Sequence, residues 1–258
     1  MVTKEAIYVE AKKRSEELVG QTQAKIEQLR SWIAESKRMV FFGGAGVSTE
    51  SGIPDFRSAK GIFNEAYPYP PEVIVSHSFF EAHPDVFYDF YRAKMVHEDA
   101  KPNQAHKKLA ELEQQGILRS VITQNVDGLH QAAGSKRVHE LHGSIHRNYC
   151  MKCGKRYGLD AIMEAEGVPY CECGGIIRPD VVLYEEALDR QVIQAAVEDI
   201  AQAETLIIAG TSRVVYPAAG LVEFFNGKHL IVINRDPSAL DKTADHCLAM
   251  NVGEAFDW

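Results

Sequence analysis

No apolar run approaches the 18 or so residues of a membrane-spanning helix, and the opening Met1-Val2-Thr3-Lys4-Glu5 is not the charged-then-apolar leader of a secreted protein. A basic excess is also missing. Against 28 Lys and Arg stand 36 Asp and Glu, giving a net charge of −8, whereas a general nucleic-acid binder needs a basic face to displace counterions from phosphates. Cysteine is scarce outside one cluster: Cys150, Cys153, Cys171 and Cys173 fall together and Cys247 stands alone. In a chain without a leader, four clustered cysteines are metal ligands more often than disulfides. These absences predict a cytoplasmic protein with neither nucleic acid nor membrane as partner. Hydrophobic residues at 45% and charged residues at 25% are ordinary for a globular chain, and 258 residues suffice for one large domain with a small module.

Residues 3–38 are charged, free of proline and helix-favouring, with Ile26, Leu29 and Ile33 on one apolar face. They predict one or two helices, with residues 1–22 as an N-terminal helical extension packed on the domain or on another chain. Met39–Phe42 and Ile117–Thr123 read as buried strands, and Pro84–His97 and Asn103–Gln115 as helices, the latter capped by Asn103. Between them, residues 59–76 hold Tyr67-Pro68-Tyr69-Pro70-Pro71, a proline density that predicts a long irregular segment. From Asp189 the pattern alternates: helix to Ala201, strand Thr205–Ala209, helix Pro217–Phe225, strand Leu230–Ile233 and a short strand near Cys247–Met250. Such alternation predicts an α/β fold with a doubly wound, parallel, Rossmann-like sheet. Residues 148–180 interrupt that rhythm and read as an insert.

The insert carries Cys150-x2-Cys153 and, after seventeen intervening residues, Cys171-x-Cys173. Four thiolates on two tight knuckles suit a tetrahedral Zn2+, and an all-cysteine set leaves no open position for a metal-bound water. The predicted zinc is therefore structural, although the second knuckle is one residue shorter than the common spacing. A nucleic-acid-binding zinc ribbon fits less well, because the charge here is mixed and aromatics are sparse.

The densest stretch is Phe41–Ser58, FFGGAGVSTESGIPDFRS. After the first strand, Gly43, Gly44 and Gly46 would let backbone N–H groups approach a pyrophosphate, with Val47–Ser51 opening a helix. Gly44-Ala45-Gly46 alone is equally a tight structural turn, since Thr49 stands where the dehydrogenase fingerprint has its third glycine. The continuation is more specific: Ser51-Gly52-Ile53-Pro54-Asp55-Phe56-Arg57-Ser58 delivers an acid, an aromatic and a guanidinium together. Here the sequence resembles the sirtuin family of NAD-dependent protein-lysine deacylases, whose GAG-x-S-x-x-SGIPDFRS pattern is complete at Gly44–Ser58. Gln124-Asn125-Val126-Asp127, Leu141-His142-Gly143, the cysteine quartet and Gly210-Thr211-Ser212 extend the resemblance from about Glu27 to the C-terminus.

The resemblance implies transfer of an acetyl group from acetyl-lysine to ADP-ribose with release of nicotinamide, using NAD, in a catalytic domain over 23–258. Its dinucleotide-binding parts would be 23–58, 100–147 and 181–258, with a cofactor-binding loop at 52–76. His142 would be the general base, as suits an imidazole near neutral pH, and Asn125 its catalytic companion. Gln124 and Asn125 would orient ribose and a water, Val126 and Asp127 the nicotinamide end, and Phe56 would shield the reacting carbon. Gly44, Ala45, Gly46, Thr49, Asp55 and Arg57 would line the phosphate side, with Gly210, Thr211, Ser212, Asn234, Arg235 and Val252 along the rest of the dinucleotide. An acyl-lysine peptide would add a strand beside Val181, Leu183 and Tyr184, the acyl group reaching Tyr91. Three residues depart from the family text: Tyr184-Glu185 replaces Phe-Gly, and Arg213 replaces an aliphatic residue. The desuccinylase branch pairs its Tyr with an Arg three residues on, where this chain has Lys94, so uncharged acyl groups are expected. Deacylases of longer or acidic acyl groups, or an ADP-ribosyltransferase, are the alternatives. His139 reads as a surface imidazole, and a monomer is the expectation for assembly.

Overall fold

The computed structural model describes residues 4–56, 61–62, 67–211, 218–236 and 242–258. Its frame is a six-stranded sheet in the order β3-β2-β1-β7-β8-β9, every pair parallel. The strands are β1 (Met39–Gly43), β2 (Leu118–Thr123), β3 (Val138–Glu140), β7 (Thr205–Ala209), β8 (His229–Ile233) and β9 (His246–Leu248). Central strands made of continuous apolar residues are what a sheet covered on both faces requires, because successive side chains point to opposite sides. Met39, Phe41, Ile207, Ala209, Ile231 and Ile233 pack on one face with Leu29, Ile33, Leu109, Leu112 and Phe256. Val40, Phe42, Leu206, Ile208 and Val232 pack on the other with Ala196, Ile200, Leu221 and Val222.

The covering helices on the first face are α1 (Lys4–Glu35), α5 (Gln104–Gln114) and α9 (Val252–Ala255), and on the second α8 (Arg190–Gln202), which Asp189 caps rather than begins. Asn103 caps α5 through the Ala105 N–H at 3.0 Å. Helix α1 runs through residues 22 and 23 without a break and engages the domain from Lys25, whose carbonyl accepts a hydrogen bond from His246 Nε2 at 2.8 Å. The expected helix at Pro217–Phe225 is a 3₁₀ helix over Ala218–Phe224, Pro217 lying outside the described residues.

A three-stranded antiparallel sheet, β5-β4-β6, interrupts the main one between β3 and β7; it comprises β4 (Gly143–Cys150), β5 (Arg156–Tyr157) and β6 (Ile177–Val181). Short helices α2 (Pro71–Ile74), α3 (His77–Ala82) and α4 (Pro84–Phe90), a π turn at Tyr91–Met95, and α7 (Asp160–Met163) join it in one apolar cluster around Phe80, Phe87, Ile162 and Ile177. The second module is thus larger than the cysteine-rich stretch, drawing its core from residues 62–96 as well. Proline begins α2 and α4 in their first turns, where a missing N–H costs nothing, so part of the segment expected to be irregular is helical. Residues 57–60 and 63–66 of the expected cofactor loop lie outside the described residues.

Candidate active site

Strand order reverses beside β1: the chain proceeds from β1 outward to β3, then returns to β7 on the other side. Open α/β sheets bind ligands at the carboxyl ends of the strands flanking such a reversal, here β1 and β7. After β1, residues 45–47 and 49–51 form two 3₁₀ turns rather than the expected helix. Gly52 at φ 85° closes the second, and Pro54, lacking a donor, prevents continuation. The glycines also serve a purpose that was not expected. Gly44 N–H donates to Ala209 O (3.1 Å) and Gly46 N–H to Gly210 O (2.8 Å), so neither is held open for a phosphate. A Cβ on Gly46 would lie 2.7 Å from Gly210 Cα, so glycine permits the β1 and β7 loops to touch.

A cleft of about 700 Å3 begins at that contact. One end is lined by Asn234, Arg235 and Val252, with Asp236, Met250 and Asn251 beside them. Its middle is lined by Gly44, Ala45, Gly46, Thr49, Asp55, Phe56, Gly210 and Thr211. Gln124, Asn125, Val126, Asp127 and His142 come next, and Val181, Leu183, Tyr184 and Tyr91 form the far walls. Every described residue expected at the site therefore lines one continuous cleft, while Arg57, Ser212 and Arg213 lie outside the described residues. Sequence reasoning missed Ile62, Val75, Phe87, Met95 and His97, which join Tyr91 and Lys94 in the far wall. Only the Phe87–Tyr91 spacing of one helical turn could have signalled them, since the rest converge from separate elements. It also assigned no role to Ser48, which lies within the recognised motif.

Side-chain bonds fix the floor. Ser48 Oγ donates to Asp127 Oδ2 (2.6 Å) and accepts from Asn125 Nδ2 (3.0 Å), while Asp127 Oδ1 accepts the Leu129 N–H (2.9 Å) ahead of helix α6 (Leu129–Ala133). Gln124 Nε2 reaches Thr211 Oγ1 at 3.1 Å, tying the loops after β2 and β7. Asn234 accepts from Thr211 N–H (3.0 Å) and donates to Thr211 O (3.2 Å), so its amide clamps the β7 and β8 loops together.

His142 ends the short link from β3 to β4. Its Nδ1 lies 2.9 Å from the Gln124 carbonyl, which can only accept, so Nδ1 carries the proton and Nε2 keeps its lone pair. Burial pushes its pKa below the ordinary histidine value, the Gln124 carbonyl opposing that fall. Gly143 follows at φ 78°, and a Cβ there would collide with the Asp180 carbonyl of β6. His139, expected on the surface, instead places Nε2 2.8 Å from Oδ2 of Asp199, a buried carboxylate that also holds Arg119 and Arg137. The spacing of a three-residue strand hid this partner on α8.

The four cysteines converge, their Sγ atoms within 4.8 Å of one another; Cys150 and Cys173 are 3.4 Å apart and Cys153 and Cys171 3.7 Å. Tetrahedral Zn–S bonds of about 2.3 Å set sulfurs about 3.8 Å apart, so the quartet fits Zn2+. The cluster lies in the second module, apart from the cleft lining.

A doubly wound nucleotide-binding domain with a cysteine-cluster module is thus the class that fold and site define. A model of the Sir2 family matches residues 44–217. An NAD-dependent protein deacetylase of Clostridium acetobutylicum is 55% identical over 237 residues, covering 90% of this chain and 97% of that protein. Among solved structures, a Sir2 protein with deacetylated p53 peptide and 3'-O-acetyl ADP-ribose superposes with a TM-score of 0.84 at 38% identity, covering 90% of this chain and 96% of its own. A Sir2–p53 peptide–NAD+ complex superposes at 0.79 with 39% identity, over 90% and 95%. The chain belongs to the Sir2 family.

Proposed function

We propose that this chain is an NAD-dependent protein deacetylase that removes acetyl groups from lysine side chains of protein substrates. The observation that carries the reading is His142: a neutral imidazole with Nδ1 engaged by the Gln124 carbonyl and Nε2 available to accept a proton, in the wall of a cleft long enough for a dinucleotide and a peptide side chain together. Bound NAD supplies a ribose carbon that nicotinamide can leave and hydroxyls that can take the acyl group. Residues of the chain do the rest. His142 takes a proton from a ribose hydroxyl at Nε2, and burial keeps it neutral at physiological pH. Asn125, fixed through Ser48, and Gln124, fixed through Thr211, orient ribose and water. Asp127, whose Oδ2 receives Ser48, would hold the nicotinamide amide, and Phe56 would exclude water. By their place in the motif Arg57 would meet phosphate and Ser212 would add a hydroxyl beside Thr211, while Asn234, Arg235 and Val252 would hold the adenosine end. Val181, Leu183 and Tyr184 offer the edge that the peptide joins. In the second module Cys150, Cys153, Cys171 and Cys173 hold a structural Zn2+, a use of cysteine that suits a reducing, cytoplasmic compartment.

One observation favours a second acyl class. Tyr91 Oη is buried, has no partner among the described residues, and shares the far wall with Lys94, a pairing that would suit an acidic acyl group.

The test is product mass spectrometry with NAD and acetyl-lysine peptide. Wild type should yield nicotinamide, free lysine and O-acetyl-ADP-ribose. His142→Ala, folded by circular dichroism, should lose about 10²–10⁴-fold in turnover, the span of general-base catalysis; turnover near wild type would remove His142 as the base.

A further inference from the structure

Glu185 is the one described residue other than glycine with a positive φ, 75°, a conformation that is costly for an L-residue with a Cβ. It is exposed and lines the far end of the cleft. Two neutral donors hold its carboxylate: Ser78 N–H to Oε2 at 2.9 Å and Ser78 Oγ to Oε1 at 3.0 Å, both on α3. The same segment is sewn to that helix by backbone, with Tyr184 N–H donating to Val75 O and His77 N–H to Tyr184 O, each at 3.0 Å. The carboxylate is therefore immobilised beside the peptide edge rather than swinging in solvent.

Its neighbours on the rim differ in charge balance. Glu186 is met by Arg178 at 2.6 Å and His77 Nδ1 at 2.8 Å, and Asp180 on β6 by Arg147 at 3.0 Å. Among the described residues Glu185 has no cationic partner, and Ser78 leaves its full negative charge in place. A fixed, uncompensated negative charge at the mouth of a peptide site discriminates between flanking residues of opposite sign.

We propose that Glu185 is a specificity residue selecting acyl-lysine segments that carry Arg or Lys near the modified lysine. The inference rests on the deacetylase reading. Exposed charge pairs are weak, so the expected preference is about three- to fivefold in kcat/KM, residing in KM because a rim charge acts on binding.

The experiment compares two acetyl-lysine peptides that differ only by Arg or Glu beside the acetyl-lysine. Wild type should favour the Arg peptide, and the preference should shrink when salt rises to about 0.5 M. Glu185→Gln should equalise the two, and Glu185→Lys should favour the Glu peptide. Equal use of both peptides by wild type, or an unchanged preference in Glu185→Gln, would overturn the proposal while leaving the deacetylase reading intact. Failure of wild type to turn over either peptide, with folded protein and NAD present, would overturn both.

Discussion

At His142 a single hydrogen bond decides which nitrogen can work. The Gln124 carbonyl fixes the proton on Nδ1, and burial lowers the imidazole pKa, so the neutral base persists to lower pH than a free histidine would allow. The acid limb of kcat/KM should accordingly fall below about pH 6.5. A pH profile whose limb lies above that value would show that His142 is stabilised as the cation and that the burial argument is wrong. Acyl choice belongs to the same scale. Lys94 lies with its ammonium 5.8 Å from the Tyr67 ring centre, and an ammonium is a point charge that cannot hold a carboxylate in the two-bond fork of an arginine. Acetyl-lysine peptide should therefore have a higher kcat/KM than the succinyl version, and Lys94→Arg should narrow the gap. Better turnover of succinyl by wild type would make Lys94 the anion site.

At the scale of elements, the cysteine module and the peptide edge are mechanically one piece. Strand β6 carries Arg178, which grips Glu186 beside the edge, and Cys150 and Cys171 sit in the apolar cluster that also contains Phe79, Phe80 and Tyr91. Removing Zn2+ should loosen both. Elemental analysis should find one zinc per chain, and chelation should abolish turnover and expose residues 151–176 to protease. Tryptophan emission should hardly change, because Trp32 and Trp258 both pack against the main sheet. Full activity in zinc-free protein would refute the coupling. Sequence pattern located this module by its cysteines but understated its size, since helices α2–α4 join it through contacts between residues some 80 positions apart, which no local period records.

Across the whole molecule, the main sheet conceals two imidazoles. His106 and His130 are fully buried with ring centres 4.7 Å apart, and burial holds their pKa values at about 4 and about 3. His106 Nδ1 lies 3.0 Å from Asn103 Oδ1, and neither ring nitrogen of His130 has a partner among the described residues. Both folded values lie below the unfolded one, so the unfolded chain binds protons first as pH falls. Stability is full above about pH 6.5 and is lost toward the folded values, costing about 2 kcal/mol per imidazole between about pH 7 and pH 5. His130→Leu should lessen the fall of Tm over that interval, read by calorimetry. An unchanged slope would place the acid sensitivity elsewhere.

Local pattern alone settled the apolar strands, helices α5 and α8 with the cap on α5, the cysteine quartet, and a motif dense enough to name the family and many of the residues that line the cleft. Whatever depends on distant partners was settled only by folding. Gly44 and Gly46 of Gly44-Ala45-Gly46 face a backbone about 165 residues away, a loop-to-loop contact that no local pattern announced. His139 finds Asp199, Glu185 finds Ser78, and Tyr91 finds its wall only because the chain folds back on itself. Periodicity reports which face of an element is buried, and it carries no information about which side chain waits on the other side.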